Sequence, residues 1–374
     1  MLKIRKACLA VFLFFCILAG RAVDACTSFC LDNKGYALYG TNYDYTRGRH
    51  DGMVFVNKRN VSKRFPEAGS PRAHVSWTSR YGSVTFNFVA SQTVWAGMNE
   101  AGLVVSLMRL EGSRAPAPDG RPWIHVHYWP QYVLDNFSSV AEVVAFVSSV
   151  RIAGSGRIPH YMVCDQRGRC ASVEFLAGKA VVHAGDDLPV KVLTNTAYER
   201  SIAEWSLVAA RRKAGEKIPP MGTSSRGRFI RAAERVAAFR PLDAEAAVGE
   251  AFAILADVSS RAAAWASNWS IVFDAGNLQV HFKTIIWPEI RTIDLQKLDF
   301  SCHLPVKLID ANEKLSGDIS ERLKDCSFRL HYGHALRAAK TYGLDMTPAE
   351  LAEHIRRIES FPCNEPASRD GGKK

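Results

Sequence analysis

The feature that most constrains this chain is the position of one cysteine. Lys3, Arg5 and Lys6 open the sequence, an apolar run follows from Ala7 to Gly20, and Arg21-Ala22-Val23-Asp24-Ala25 leads directly into Cys26. That order is the pattern of a secretory signal, with Val23 and Ala25 as the small residues ahead of a cut after Ala25. The apolar run is short for a bilayer span, and no other stretch is long and apolar enough to make one. The sequence therefore predicts an exported, soluble mature chain, periplasmic or secreted, that starts at Cys26 and has no stable membrane insertion.

Three explanations fit a cysteine at that place. It is there by chance, it is a lipid attachment site, or it is an N-terminal nucleophile. Lipid attachment needs a small-residue box abutting the apolar run, and here Arg21 and Asp24 interrupt it. On that reading the protein is a non-enzymatic envelope lipoprotein, acylated at Cys26, that binds a partner. The nucleophile reading has a physical logic of its own. A terminal α-amine has a pKa of about 7.7–8.0, so it can be neutral at working pH and take the proton of its own thiol. The thiol, with a pKa of about 8.5, needs such a base. One extra residue ahead of Cys26 would turn the amine into an amide with no basicity.

Hydrophobic residues make up 47 % of the 374 and charged residues 23 %, the balance of a soluble globular protein. The net charge of +11 is spread along the chain without a long basic run. No nucleic-acid-binding module and no phosphate-binding glycine motif accompanies it, so nucleic acid is not an expected partner. From residue 26 to 110 the pattern is strand after strand. Thr27–Leu31 and Tyr36–Tyr45 turn on Asp32-Asn33-Lys34-Gly35, and Asn99-Glu100-Ala101-Gly102 makes another turn. A helix capped by Ser138 or Ser139 carries Val140, Val143, Val144 and Val147 at helical spacing. Strands return between His160 and Thr194, helices are expected at Ser201–Ala214, Gly227–Phe239 and Ala244–Leu255, and a late hairpin turns on Asp274-Ala275-Gly276-Asn277. After Phe300 the tail reads as helical, with a capping box at Thr347-Pro348-Ala349-Glu350 and a polar, disordered end. Sheets packed face to face with helices outside suit this order, an α+β class, better than a regular strand–helix alternation.

Seven cysteines remain after the cut. Besides Cys26 there are Cys30, Cys164, Cys170, Cys302, Cys326 and Cys363, enough for three bridges in an oxidising compartment. Cys164 and Cys170 flank a hairpin turn and can face each other across it, and Cys302, Cys326 and Cys363 can staple the tail. The other reading keeps several of them as buried thiols. His125-Val126-His127 lacks a completing Cys or carboxylate cluster, so no metal or other cofactor is expected.

Cys26-Thr27-Ser28-Phe29 with Gly40-Thr41-Asn42-Tyr43-Asp44 resembles the start of the choloylglycine hydrolase and penicillin V acylase family, linear amide C–N hydrolases of the N-terminal nucleophile class. The resemblance continues in order through Gly97-Met98-Asn99-Glu100-Ala101-Gly102-Leu103, Leu193-Thr194-Asn195 and Ser224-Ser225-Arg226-Gly227-Arg228-Phe229. It implies a four-layer αββα fold over residues 26–300, after a signal peptide at 1–25 and before a helical extension at 301–374. It implies that Cys26 is the nucleophile, that Asp44 holds its amine or thiol, that Asn195 gives the side-chain amide of an oxyanion hole, and that Arg228 lies near the sulfur. A backbone N–H at Met108 or Arg109 would complete the oxyanion hole. The implied substrate is a small-molecule N-acyl amide, and a homo-oligomer is implied by relatives. One position departs from the family pattern: Thr41 stands where an arginine is common. That loses a cation beside the thiol and puts a bile salt or penicillin V in doubt as the natural substrate, while the nucleophile and oxyanion hole stay intact.

Overall fold

The computed structural model describes residues 26–364 apart from 34, 47, 49, 66–74, 155–157 and 261–264. The expected signal peptide and the polar C-terminal end lie outside the described residues. Two large sheets form the centre. The first has seven strands, in the spatial order Val192–Leu193, Thr27–Asn33, Tyr36–Thr46, Trp265–Asp274, Gln279–Thr284, Arg291–Asp294 and Gly317–Asp318. The second has nine, in the order Lys179–Ala184, Cys170–Leu176, Pro159–Cys164, Val104–Arg109, Val94–Asn99, Ser83–Asn87, Met53–Asn57, Lys307–Asp310 and Lys324–Asp325.

The sheets pack face to face through apolar and aromatic side chains. Phe86 of the second sheet meets Phe273 of the first edge to face, with ring centroids 6.1 Å apart. Helices Ser225–Ala238 and Ala244–Asp257 cover the outer face of the first sheet, where Asn42 Nδ2 donates to the Leu255 carbonyl at 2.8 Å. Helices Trp129–Asn136 and Val140–Phe146 cover the second. The four layers are helix, sheet, sheet, helix, the αββα arrangement expected.

Local chemistry explains most element ends. Ser139 and Glu142 form the capping box of the helix they open, and Thr347 and Glu350 do the same for Pro348–Glu359. At the Cys164–Cys170 hairpin the two residues pair directly and are joined by a disulfide. Asp165 closes that turn by accepting from Arg167 N at 3.0 Å, and Gly168 takes the left-handed φ of +71° that it needs. The Asn99–Leu103 motif is also structural. Asn99 Oδ1 accepts from Ala101 N and Leu103 N, while its amide donates to the Leu134 and Phe137 carbonyls at 2.8 and 2.7 Å, tying the outer helix to the sheet.

The expected element list needs two corrections. Helix Trp129–Asn136 was not foreseen, because its opening Trp-Pro pair hides a start in which the proline occupies the first turn and loses no helical bond. The segment after Phe300 does not begin as helix. Lys307–Asp310 pairs with Met53–Asn57, and Gly317–Asp318 joins the first sheet, so the helical part is confined to Phe328–Tyr342 and Pro348–Glu359. These strands are short, and their partners are far away in the chain, so local periodicity carries no sign of them. Between the two readings of the cysteines the outcome is mixed: Cys164–Cys170 and Cys302–Cys363 are bridged, and Cys30 and Cys326 stay as thiols.

Candidate active site

Cys26 precedes the first strand at one end of the sandwich. Thr27 pairs with Asn42 and Ser28 with Thr41, and continuing that register one step brings Cys26 level with Tyr43. Paired residues of an antiparallel ladder share a face. Cys26, Ser28 and Tyr43 therefore face the second sheet, where Ser28 Oγ lies 3.0 Å from Ser106 Oγ and donates to Met108 Sδ at 3.4 Å. The Cys26 side chain is nearly buried, and its Sγ lies 3.6 Å from the main-chain oxygen of Asp44.

Arg228 reaches this end from the outer helix layer. Ser224 caps the helix by accepting from Gly227 N, and Gly227 packs so closely on Gly222 that a Cβ would come within 2.2 Å of its carbonyl oxygen. That close approach requires glycine and turns the next side chain inward. An arginine on a helix start, beside Arg226 and Arg231, is usually solvated; this one is fully buried. Its Nη2 donates to the Cys26 carbonyl at 3.3 Å and to Asn195 Oδ1 at 2.8 Å, and its Nε to Thr27 Oγ1 at 3.1 Å. The guanidinium thus links the first two residues of the strand to Asn195.

Asn195 is oriented from both ends. Its Oδ1 accepts from Arg228, which leaves the amide nitrogen facing the other way, where it donates to the Arg109 carbonyl at 3.0 Å. An amide nitrogen carries two N–H groups, and the second has no partner among the described residues. Both backbone positions weighed for the oxyanion hole are here: Met108 is buried against Ser28, and Arg109 touches Asn195.

Asp44 is buried, and neither carboxylate oxygen makes a hydrogen bond of normal geometry among the described residues. Burial pushes its pKa up to about 7, against the downward pull of the Arg228 guanidinium and of the Ser267 hydroxyl across the ladder. Thr41, the departure from the family pattern, is fully buried. Its hydroxyl lies 2.8 Å from Ser28 Oγ, in a chain that runs on through Ser106 to the Tyr39 hydroxyl. Neutral hydroxyls fill the space in which an arginine would bring charge.

Some contributors had no signal in the sequence reading. Thr27 as a partner of Arg228 and Tyr43 as the neighbour of Cys26 follow only from the strand register. Glu174 had a usable signal, a single acid in the buried strand Cys170–Leu176. It accepts from Tyr198 N at 3.1 and 3.2 Å and lies 2.8 Å from His160 Nδ1, so it anchors the helix that starts three residues after Asn195.

Two clusters have the residue types of a metal site. Cys30 lies beside the Cys164–Cys170 bridge, which already engages two of those three sulfurs. In the other, Cys326, His331 and Glu359 converge. Ser91 N donates to His331 Nε2 at 3.2 Å, which leaves the proton on Nδ1, 3.1 Å from Glu359 Oε1. That imidazole already has both nitrogens in hydrogen bonds, and the cluster reads as a hydrogen-bond relay.

Comparison with known proteins agrees with this geometry. The chain is 26 % identical over 328 residues to the penicillin V acylase of Pectobacterium atrosepticum, a match covering 75 % of this chain and 84 % of that one. The solved penicillin V acylase of Agrobacterium tumefaciens superposes with a TM-score of 0.71 at 28 % identity, over 80 % of this chain and 98 % of that one. A variant of the conjugated bile acid hydrolase of Clostridium perfringens shares the fold, with a TM-score of 0.65 at 20 % identity over 78 % of this chain and 98 % of that one. The model of the family described as linear amide C–N hydrolases, choloylglycine hydrolase family, matches residues 26–310. With Cys26, Asp44, Asn195 and Arg228 gathered at one end of an αββα sandwich, this chain belongs to the choloylglycine hydrolase family of linear amide C–N hydrolases.

Proposed function

We propose that the mature protein is an exported amidase that begins at Cys26 and cleaves a small N-acyl amide through a thioester on that cysteine. The observation that carries the reading is the Asp44 carboxylate. A buried carboxylate without a well-formed hydrogen bond is costly to keep. Asp44 lies on the strand paired with Thr27–Asn33, with its main-chain oxygen 3.6 Å from the Cys26 sulfur, next to where removal of residues 1–25 would leave the Cys26 amine. An amine there gives the carboxylate a donor, and the carboxylate in turn holds the amine against the thiol. Export has separate support in the two disulfides, which belong to an oxidising compartment. No helix of the described residues is long and apolar enough to cross a membrane.

In this mechanism the amine takes the thiol proton and the thiolate attacks the amide carbon. Negative charge then builds on the carbonyl oxygen, which the second N–H of Asn195 and a backbone N–H at Met108 or Arg109 stabilise. Arg228, buried beside the strand start, favours negative charge at the sulfur. The amine passes its proton to the leaving nitrogen, and the thioester forms. A water molecule, deprotonated by the same amine, releases the acid. The two penicillin V acylases that match this chain at 26 % and 28 % identity make penicillin V the first substrate to try. With Thr41 in place of arginine, recognition of the substrate rests less on anionic groups and more on its apolar acyl part.

The test compares protein starting at Cys26 with protein that keeps Ala25 in front of it. Amine release only from the first is the expected result. Equal rates, or fatty-acid incorporation at Cys26, would overturn the mechanism.

A further inference from the structure

Helix Phe328–Tyr342 lies beyond residue 310, where the match to the family model ends. It is held on the protein by small residues. Ala335, Ala338 and Ala339 are buried against Val89 and Ala90, and small side chains let the helix sit close to that loop. The Cys302–Cys363 bridge and the following helix, through Leu351 and Ile355, keep it there. The last residue of the helix, Tyr342, is buried as well. The Tyr342 hydroxyl donates to the Asp51 carbonyl at 2.8 Å, and its ring lies 5.3 Å from Tyr45 and 5.5 Å from Phe88.

Those rings lead back to the nucleophile. Tyr45 stacks on Tyr43 at 5.8 Å, and Phe88 stacks on it at 6.1 Å. Tyr43 stands opposite Cys26 and is wedged against Trp95 and Trp269 at 4.9 and 4.6 Å. Burial, followed by the neighbouring Tyr342, raises the Tyr43 phenol well above its usual pKa, so its hydroxyl stays neutral. Tyr43 is buried, whereas Tyr45 and Phe88 keep part of their surface exposed. A continuous aromatic surface therefore leads from Cys26 to solvent, with Tyr342 behind its outer half.

We infer that Tyr342 is a positioning residue for substrate selection: it holds the rings of Tyr45 and Phe88 so that the site prefers a flat aromatic acyl group over a flexible aliphatic one. This rests on Cys26 being the reacting residue, as proposed above. Rings fixed in place offer a flat acyl group stacked and edge contacts at little entropic cost, and an aliphatic chain gains less from them.

The test uses full-length mature protein with Cys26→Ala, so that binding is read without turnover, and titrates phenoxyacetate and hexanoate calorimetrically. Tyr342→Leu is expected to weaken phenoxyacetate about tenfold and hexanoate by no more than about twofold. Tyr342→Phe, which keeps the ring, should leave both within about twofold. A folded Tyr342→Leu protein that binds both acids as before, or loses both equally, would overturn the inference, as would a Tyr342-intact protein that binds neither. If leucine at 342 unfolds the chain, Phe88→Leu takes its place with the same expectation, because Phe88 is partly exposed. Failure of the catalytic reading shows elsewhere, as amine release that survives alkylation of Cys26.

Discussion

Two places in this molecule bring a cysteine close to an acidic residue, and they differ in how that residue's carboxylate is occupied. At the C-terminal helices, Cys326 Sγ lies 3.7 Å from Glu359, which also receives His331. Burial first, and then the Glu359 charge, push the Cys326 thiol up to about 12. At the end of the sandwich, the Asp44 carboxylate has no hydrogen bond of normal geometry among the described residues, a buried arginine bridges Cys26 to Asn195, and an amide N–H is left unengaged. A cysteine and an acid do not by themselves make a nucleophile. An acid that faces the thiol opposes its ionisation, whereas a cation and a base beside the thiol favour it.

The sharpest way to break this contrast is substitution at the two sulfurs. Cys26→Ser should lower amide turnover by at least about 10⁴-fold, while Cys326→Ser should leave it within about twofold. Similar losses at both would end the distinction. The Asp44 carboxylate can be read through stability in protein that keeps Ala25. Folded Asp44 holds its proton up to about pH 7, and the unfolded chain releases it near pH 4. The folded state then binds the extra proton in that window, so stability should fall by roughly 4 kcal/mol as pH rises from about 4 to 7 and be level above it. Asp44→Asn should abolish the slope, as measured by urea unfolding across that range; a slope that persists would assign it to another group.

Asn195→Ala sharpens the comparison from the other side. Loss of an oxyanion donor should cut kcat by about 10²–10³-fold with KM little changed, and a purely structural role would instead lower the thermal midpoint and raise KM. The smallest effect is expected at Glu359. Glu359→Gln removes the charge facing Cys326, so its maleimide labelling at pH 8 should speed up several-fold with no change in turnover. Unchanged labelling would mean that burial alone holds this thiol down.

Part of this outcome was legible in the chain. Turn and cap chemistry is local, so Ser139, Thr347 and the Asp165–Gly168 turn could be read from neighbours a few residues apart. The strands before residue 110 followed from alternation and turn residues. Arg228 and Asn195 were legible only through family resemblance, because an arginine at a helix start, two residues from Arg226, looks solvated until the glycine contact that buries it is seen. The strands after residue 300 were misread because their partners lie far away in the chain, and the helix at Trp129 was missed because its Trp-Pro opening hides the start.

By itself the sequence determined that Cys26 follows a signal-like segment, that a cut there would join amine and thiol in one residue, and that the turns and caps frame a sheet-rich α+β chain. These are covalent or local facts, set by residues within a few positions of one another. Only the tertiary structure decided that Arg228 is buried on Asn195, that Thr41 sits in a chain of hydroxyls, and that a helix more than three hundred residues from Cys26 supplies Tyr342 to the aromatic surface beside it. Burial and long-range pairing are cooperative properties of the packed sheets, and no local pattern in the chain encodes which distant side chains will meet.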